Sequence, residues 1–396
     1  MKFAHMADVH IGSWRDPKLK ELSSIAFAKA VAVCLEKKVD FVLISGDLFN
    51  TALPPIDSLK LVVKELKKLQ KKDIPVYAIA GSHDFSPSGK TMLDVLEEAG
   101  LLINVVKGSV HDGKLKLKFT EDASGAKITG ILGKRGMLDR TFYENLIKEN
   151  IEQEEGFKIF MFHTCLSEFK PKGYESMNSA PLSLLPKHCD YYAGGHVHYI
   201  FEKDEPDYGK IVYPGPLFPA NFEELEELKT GGFYLYEDGK ITYQPIVVKN
   251  VFCVDLDVSH KHSNDIYDLL MQKLEKKEFI DTIVLLRLHG KITGKTSDIN
   301  FRDVFAYLYS KSAFFVMKNT NKLVSEDFEE VKVSQETPEE IEEKLIRENA
   351  GQLKVHFDEI AMAKKLLLLL NMEKHEGEKQ YEFEERLKKE TEELPD

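Results

Sequence analysis

The sequence predicts an α/β fold in which strands alternate with amphipathic helices, a second and smaller α/β unit follows, and a helical tail closes the chain. Three observations carry this. Short apolar runs (KFAHMA, DFVLIS, VYAIA, KIFMF and YYAGG) have the length and composition of buried strands. Helical stripes lie between the first of them, at Leu22, Ile25, Ala26, Ala30, Val33 and Cys34 and again at Leu59, Val62, Val63, Leu66 and Leu69. Beyond Asn319 the chain turns polar and acidic.

Taken in order, the first half reads as repeated βαβ units with a largely parallel sheet. From 211 to 248 short alternating runs flank Asp238-Gly239, a pair that predicts a tight hairpin turn closing an antiparallel edge. VFCVDLDV, a helical stretch at 266–274, TIVLLRLHG, a stretch at 304–309 and AFFVM then give a βαβαβ order, a small separate unit over 250–320. A linker is expected at 321–337. Thr337-Pro338-Glu339-Glu340 carries the marks of a helix start, with Thr as cap, Pro in the first turn and Glu three residues on, so 338–396 is read as helical. Its apolar run at 366–370 is too short to cross a membrane. Being apolar all round, it needs cover from its own helical pair or from another protein.

At 396 residues the chain has room for two or three domains. Its formal charge of −12 excludes a protein coated in basic residues, but 18 acidic against 11 basic residues lie from Lys332 onward, so the body is close to balanced. A local basic strip suffices to bind phosphates, and nucleic acid stays open as a substrate. Cys34, Cys165, Cys189 and Cys253 are scattered without a Cys-x-x-Cys pair, which implies neither a disulfide framework nor a zinc knuckle. The opening MKFAHMAD is interrupted by His5 and Asp8 and is neither a secretory signal nor a membrane span. A cytoplasmic protein is expected.

Each apolar run is followed by metal-binding residue types. In order these are Asp8 and His10, Asp47, Ser82 with His83, His163, and His196 with His198. Ligands of open α/β sheets gather at the carboxyl ends of strands, so residues far apart in sequence converge there. The chemistry suited to such a set is phosphodiester hydrolysis. Two divalent cations roughly 3.5 to 4 Å apart activate a water and neutralise the charge that builds on the phosphoryl oxygens. Asp47, in SGDLF, is the natural shared ligand because a carboxylate has two oxygens, and Gly46 lets backbone and metal approach closely. Asp8 and His10 point to one side of an extended strand, as do His196 and His198. Mixed imidazole and carboxylate ligands favour manganese, iron or zinc over magnesium. His83 is read as a general acid for the leaving oxygen. Taken singly, each residue has a plainer reading: His163 as a structural histidine, Asp8 as a helix cap, Asp47 as a turn residue. Trp14, Arg15, Lys134, Arg135 and Arg140 are candidates for base or phosphate contacts, with surface solvation or packing the commoner role for such residues.

Asp-x-His, Gly-Asp-Leu-Phe, Gly-Ser-His-Asp, a lone strand-end His and Gly-His-x-His resemble, in this order, the five blocks of calcineurin-like metallophosphoesterases. The whole chain resembles more specifically the nuclease subunit of the DNA double-strand-break repair complex, of the SbcD or Mre-eleven type. The resemblance implies a metallophosphoesterase sandwich of mixed sheets flanked by helices over 1–249, a small α/β capping domain that binds DNA over 250–320, and a docking segment over 338–396 for a Rad-fifty- or SbcC-type coiled-coil ATPase. It assigns one metal to Asp8, His10, Asp47 and His198, and the other to Asp47, Ser82, His163 and His196. Tyr213-Pro214-Gly215 is similar to a turn near that family's DNA groove, and helices at 59–69 and 92–101 lie where the family makes its homodimer contact. The implied activity is manganese-dependent DNA cleavage, as a 3′-to-5′ exonuclease and an endonuclease. Two positions depart from the pattern. Ser82 stands where the family usually has a metal-binding Asn, and Asn50 stands where related archaeal nucleases often carry a histidine. A phosphodiesterase for a small substrate, and a DNA-end-binding scaffold with weak catalysis, are the competing readings.

Overall fold

In the computed structural model of the chain, which describes residues 1–86, 89–134, 140–326, 359–370, 372 and 380–391, two six-stranded sheets stack face to face. The first runs in the order Lys240–Ile246 (β14), Gly231–Glu237 (β13), Lys2–Met6 (β1), Phe41–Ser45 (β2), Val76–Ile79 (β3), Ile103–Asn104 (β4). The second runs Phe201–Glu205 (β11), Gly209–Tyr213 (β12), Tyr191–Gly195 (β10), Lys158–His163 (β9), Lys127–Gly130 (β8), Thr120–Glu121 (β7). A small hairpin, Gly108–His111 (β5) with Lys114–Leu117 (β6), stands apart.

The sheets are mixed where the sequence suggests a largely parallel one. β1 to β4 are parallel, but β13 lies antiparallel beside β1 and β14 antiparallel beside β13. The turn between the last two is the expected one: Asp238 and Gly239 take φ of 47° and 90°, the left-handed pair that a two-residue hairpin requires.

Side-chain alternation builds the layers. Phe3, Phe41, Leu43, Ile159, Met161 and Tyr191 point into the space between the sheets. Their neighbours Ala4, Val42 and Ile44 face the helices, and Phe160, Phe162 and Tyr192 face the opposite outer layer. Pro17–Lys37 (α1) starts on an Asp16 cap with Pro at its first position, and buries Leu22, Ala26, Ala30 and Cys34 on the first sheet. Ile56–Gln70 (α2) buries Val62, Leu66 and Leu69 beside it. Met92–Glu98 (α3), Arg140–Glu144 (α4) and Glu149–Glu152 (α5) are shorter, and Phe222–Leu228 (α6) precedes β13.

Asn250–Asp257 (β15), Ile266–Leu274 (α7), Thr282–Ile292 (β16), Phe301–Ser310 (α8) and Phe315–Ser325 (β17) form a parallel three-stranded sheet with β16 in the middle. That strand is covered on both faces. Ile283 and Leu285 join the core built on α1 and α2, whereas Val284, Leu286 and Leu288 pack with α7 and α8. β17 continues through 321–325, which composition alone reads as linker; Leu323 and Ser325 are buried there, and strand pairing satisfies a backbone whose side chains are mostly polar.

The chain divides into two compact units, Met1–Asp327 and Phe328–Asp396. In the second, Glu359–Leu370 (α9) and Gln380–Thr391 (α10) touch each other, with Leu369 buried and Leu366 exposed. The helix start expected at 337–340 lies outside the described residues. No described helix is long and apolar enough to cross a membrane.

The double-sided burial of β16 sets a test. Leu285→Ala should cost about 2–5 kcal/mol in denaturant unfolding, whereas Ile280→Ala, at a residue 67% exposed, should stay within about 0.5 kcal/mol of the parent. A Leu285→Ala cost as small as that of Ile280→Ala would contradict the packing described.

Candidate metal centre

Five parallel strands deliver the candidate residues to one edge of the sandwich. Asp8 and His10 follow β1, Asp47 follows β2, Ser82 and His83 follow β3, His163 ends β9, and His196 and His198 follow β10. The structure brings all eight together. His10 and His198 rings stand 5.0 Å apart, His10 and His83 4.9 Å, and His163 and His196 5.2 Å, while Ser82 Oγ lies 3.5 Å from an Asp47 carboxylate oxygen.

The backbone is bent hard to achieve this. Asp8, His10, Asp47 and His196 take φ of 49°, 45°, 51° and 84°, left-handed conformations that cost on the order of 1–3 kcal/mol each outside glycine. Hydrogen bonds between the first two loops offset part of that cost: Asp8 N–H donates to Gly46 O at 3.2 Å, His10 N–H to Asp47 O at 2.9 Å and Ile11 N–H to Leu48 O at 3.0 Å. Asp84 adds a clamp, since its buried carboxylate accepts from the N–H groups of Leu48, Phe49 and Gly81 at 3.1, 2.9 and 3.1 Å. Glycine makes the remaining room. A Cβ on Gly46 would sit 2.1 Å from His163 Nδ1, and one on Gly195 2.0 Å from Ser45 O.

The hydrogen bonds fix which ring nitrogens are free. His163 Nδ1–H donates to Ser45 O at 2.8 Å, His83 Nδ1–H to Asn50 O at 2.9 Å, and His198 Nδ1–H to Glu224 Oε1 at 2.8 Å. Each therefore turns Nε2 inward, where it can take either a proton or a cation. There His163 Nε2 meets an Asp47 oxygen at 3.2 Å, and His10 and His198 set Nε2 against Nε2 at 3.2 Å. Contacts this close need a proton or a cation between the two atoms. Donor atoms of Asp8, His10 and His198 fall within 4.8 Å of one another, as do those of His10, Asp47 and His83, and those of Asp8, Asp47 and His163. This donor chemistry fits divalent metal. His196 belongs to none of these groups, and His83, read from sequence as a general acid only, belongs to one.

Protonation follows the same logic. Burial opposes charge on His163, but Asp47 beside it wins and holds the imidazole up at about 10. Burial likewise opposes charge on His198, and the Glu224 hydrogen bond with Asp8 raises it to about 9. Burial pushes His10 and His196 down to about 3 and 4, and pushes Asp8 up to about 6. Burial also works against a charged Asp47, yet His163 and its neighbours hold that carboxyl well below the usual range. The cluster wants positive charge at its centre.

Several candidates serve elsewhere. Trp14 donates its indole N–H to Pro219 O at 2.9 Å, Arg140 pairs with Glu144 one turn on, and Lys134 sits over the Phe85 and Phe142 rings. Tyr213 is buried and donates to Thr164 O. Arg15 is exposed, and Arg135 lies outside the described residues. Two supporting carboxylates, Asp84 and Glu224, are absent from the set that the sequence singles out. Asp84 directly follows His83 in the Gly-Ser-His-Asp block, and Glu224 sits three residues after the Asn221 cap of α6, a helix-start spacing that gives no hint of His198.

Residues 1–199 match the calcineurin-like phosphoesterase family. The DNA double-strand break repair protein Mre11 of Methanococcus maripaludis is 29% identical over 69% of this chain and 74% of its own length. That of Archaeoglobus fulgidus is 26% identical over 89% of this chain and 82% of its own, and that of Methanocaldococcus jannaschii 30% over 60% and 62%. Among solved structures, TT1561 of Thermus thermophilus is 13% identical, covering 62% of this chain and 99% of its own, with a TM-score of 0.40. With its family match spanning the five strand ends that carry the metal-binding side chains, the chain belongs to the calcineurin-like phosphoesterase family and is a metal-dependent phosphoesterase.

Proposed function

We propose that the protein is a manganese-dependent DNA nuclease of the Mre11 type, acting on double-strand ends as a 3′-to-5′ exonuclease and as an endonuclease. The observation that carries the reading is the inward convergence of imidazole nitrogens and carboxylate oxygens around Asp47, in a chain whose likeness to Mre11 proteins reaches past residue 199 to cover as much as 89% of its length. Asp8, His10, Asp47 and His198 would hold one cation, and Asp47, Ser82, His163 and His196 the other. When bound, the two cations activate a water for in-line attack and neutralise charge on the phosphoryl oxygens. Imidazole with carboxylate favours manganese over magnesium. The protein's own part in bond breaking falls to His83. With Nδ1–H fixed on Asn50 O, its Nε2 is left to carry a proton to the departing oxygen.

The remaining assignments follow the same resemblance. Residues 1–249 are the nuclease domain, 250–320 a capping domain that contacts DNA, and 338–396 a docking segment for a Rad-fifty- or SbcC-type ATPase, in a cytoplasmic complex. A homodimer through the α2 and α3 region is supported by Leu53 and Ile56, each 82% exposed, and Val95, 55% exposed. Ser82 favours one competing reading, a DNA-end-binding scaffold with weak catalysis, because its hydroxyl is one bond nearer the backbone than an Asn oxygen.

End-labelled linear duplex DNA, incubated with manganese, magnesium or chelator, separates these readings. Manganese-dependent digestion is expected, reduced by about 100-fold or more in Asp47→Ala and by about 10²–10⁴-fold in His83→Ala; DNA binding with no digestion would leave the scaffold, and preferential hydrolysis of a small chromogenic phosphodiester would point away from DNA. Ser82→Asn should tighten the weaker manganese site by about 10-fold in a calorimetric titration, and an unchanged isotherm would remove Ser82 as the weak ligand.

A further inference from the structure

We propose that Glu224 is a positioning residue for His198, and that Arg287 of the three-stranded sheet holds it in place through helix α6. The inference rests on the two-metal reading above and adds a part of the chain that reading does not use.

Glu224 is fixed from several sides. One carboxylate oxygen accepts from His198 Nδ1–H at 2.8 Å and from the Asn221 side-chain amide; the other accepts from Ala220 N–H at 2.7 Å. Its own N–H donates to Asn221 Oδ1 at 2.9 Å, and its side chain is only 13% exposed. With Nδ1–H committed to Glu224, His198 presents Nε2 to Asp8 and His10 in one tautomer and one ring orientation.

The helix that carries Glu224 is seven residues long, too short to persist without tertiary contacts. At 3.6 residues per turn Phe222 and Glu226 share a face, and Glu224 lies on another. The Phe222 and Glu226 face clasps Arg287. Arg287 Nε lies 2.8 Å from both Glu226 carboxylate oxygens and Nη2 2.6 Å from one, with the guanidinium 5.2 Å from the Phe222 ring centre. The pair is mostly buried, Arg287 at 13% and Glu226 at 23% exposure, so solvent competes little for it. Leu225, fully buried, pins the helix between the two contacts. On β16 the pairing with β17 shifts register between Arg287 and His289, a bulge at the position where the side chain leaves the sheet for α6. Charge-assisted and stacking contacts on one face of α6, the helix backbone, and the Glu224 hydrogen bonds on another face thus join the central strand of the small sheet to a candidate metal ligand. Without Arg287 the helix loses its anchor, Glu224 shifts, and His198 regains freedom that metal binding must then remove.

The test is a calorimetric titration of manganese into chelator-stripped full-length protein, read beside the melting of the metal-free protein by circular dichroism. Wild type is expected to bind two ions. Glu224→Ala should weaken one site by about 10- to 100-fold and spare the other, with Glu224→Gln, which keeps an acceptor but not the charge, falling between. Arg287→Met should weaken the same site less, and the reversed pair Arg287→Glu with Glu226→Arg should recover it. Two tight sites in Glu224→Ala or, should that variant not fold, in Glu224→Gln would overturn the positioning role. A weakened site in Glu224→Ala with wild-type binding in a folded Arg287→Met would overturn the anchor. Wild-type protein that takes up no manganese would overturn the two-metal reading itself, and this inference with it.

Discussion

The Asp47 carboxylate sits at 2% exposure, and keeping it ionised there is the constraint on which the rest of the crevice depends. An isolated carboxylate moved out of water neutralises itself rather than give up several kcal/mol of hydration. Here it does not, because His83 N–H donates to it at 2.7 Å, His163 faces it at 3.2 Å and His10 at 3.6 Å. Two of these partners have their own support, His163 on Ser45 O and His83 on Asn50 O. The arrangement also explains the glycines. A Cβ on Gly81 would sit 2.3 Å from Asp47 N and one on Gly46 2.1 Å from His163 Nδ1, so both positions must lack a side chain for the carboxylate and imidazole to meet.

The sandwich is what makes so dense a cluster possible in conformational terms. Strands packed on both sides fix the start of each loop, and the loops then take left-handed turns at Asp8, His10, Asp47 and His196 that no isolated segment would hold. Strain of this kind survives only where neighbours over-determine it. Asp84 is such a neighbour: its three N–H partners belong to the loops after β2 and β3, so one buried carboxylate ties the Asp47 loop to the loop that carries Ser82 and His83.

What the sequence discloses and what it hides divide along the same physical line. Asp8, Asp47, His83, His163 and His196 are legible because each closes or follows an apolar run, and the carboxyl ends of parallel strands are where side chains converge. The antiparallel partner of β1 is legible only through Asp238-Gly239, whose turn geometry is local; that β13 returns to lie beside β1 is a long-range choice, 237 positions separating Met1 from the Asp238 it contacts. Glu224 and Arg287 leave no mark. A residue that braces another through a helix face and a strand bulge has no period and no fixed spacing, so its role is settled by packing alone. The same holds for Leu285 and Leu286, adjacent in sequence and both apolar, which join two different cores.

Ser82 is the place where this logic isolates a single atom. Its backbone follows a strand end as those of the other candidate residues do, beyond β3 and beside the Asp84 clamp that holds Gly81 N–H, and its hydroxyl already lies 3.5 Å from Asp47. The surrounding imidazoles keep their tautomers through partners that do not involve position 82: Ser45 for His163, Asn50 for His83, Glu224 for His198. A longer side chain there would therefore extend a donor toward the same lone-pair cluster without disturbing what holds the cluster together. On the two-metal proposal, the difference between strong and weak occupancy of one cation then reduces to the reach of one side chain, and that reach is separable from the fold and from Asp47.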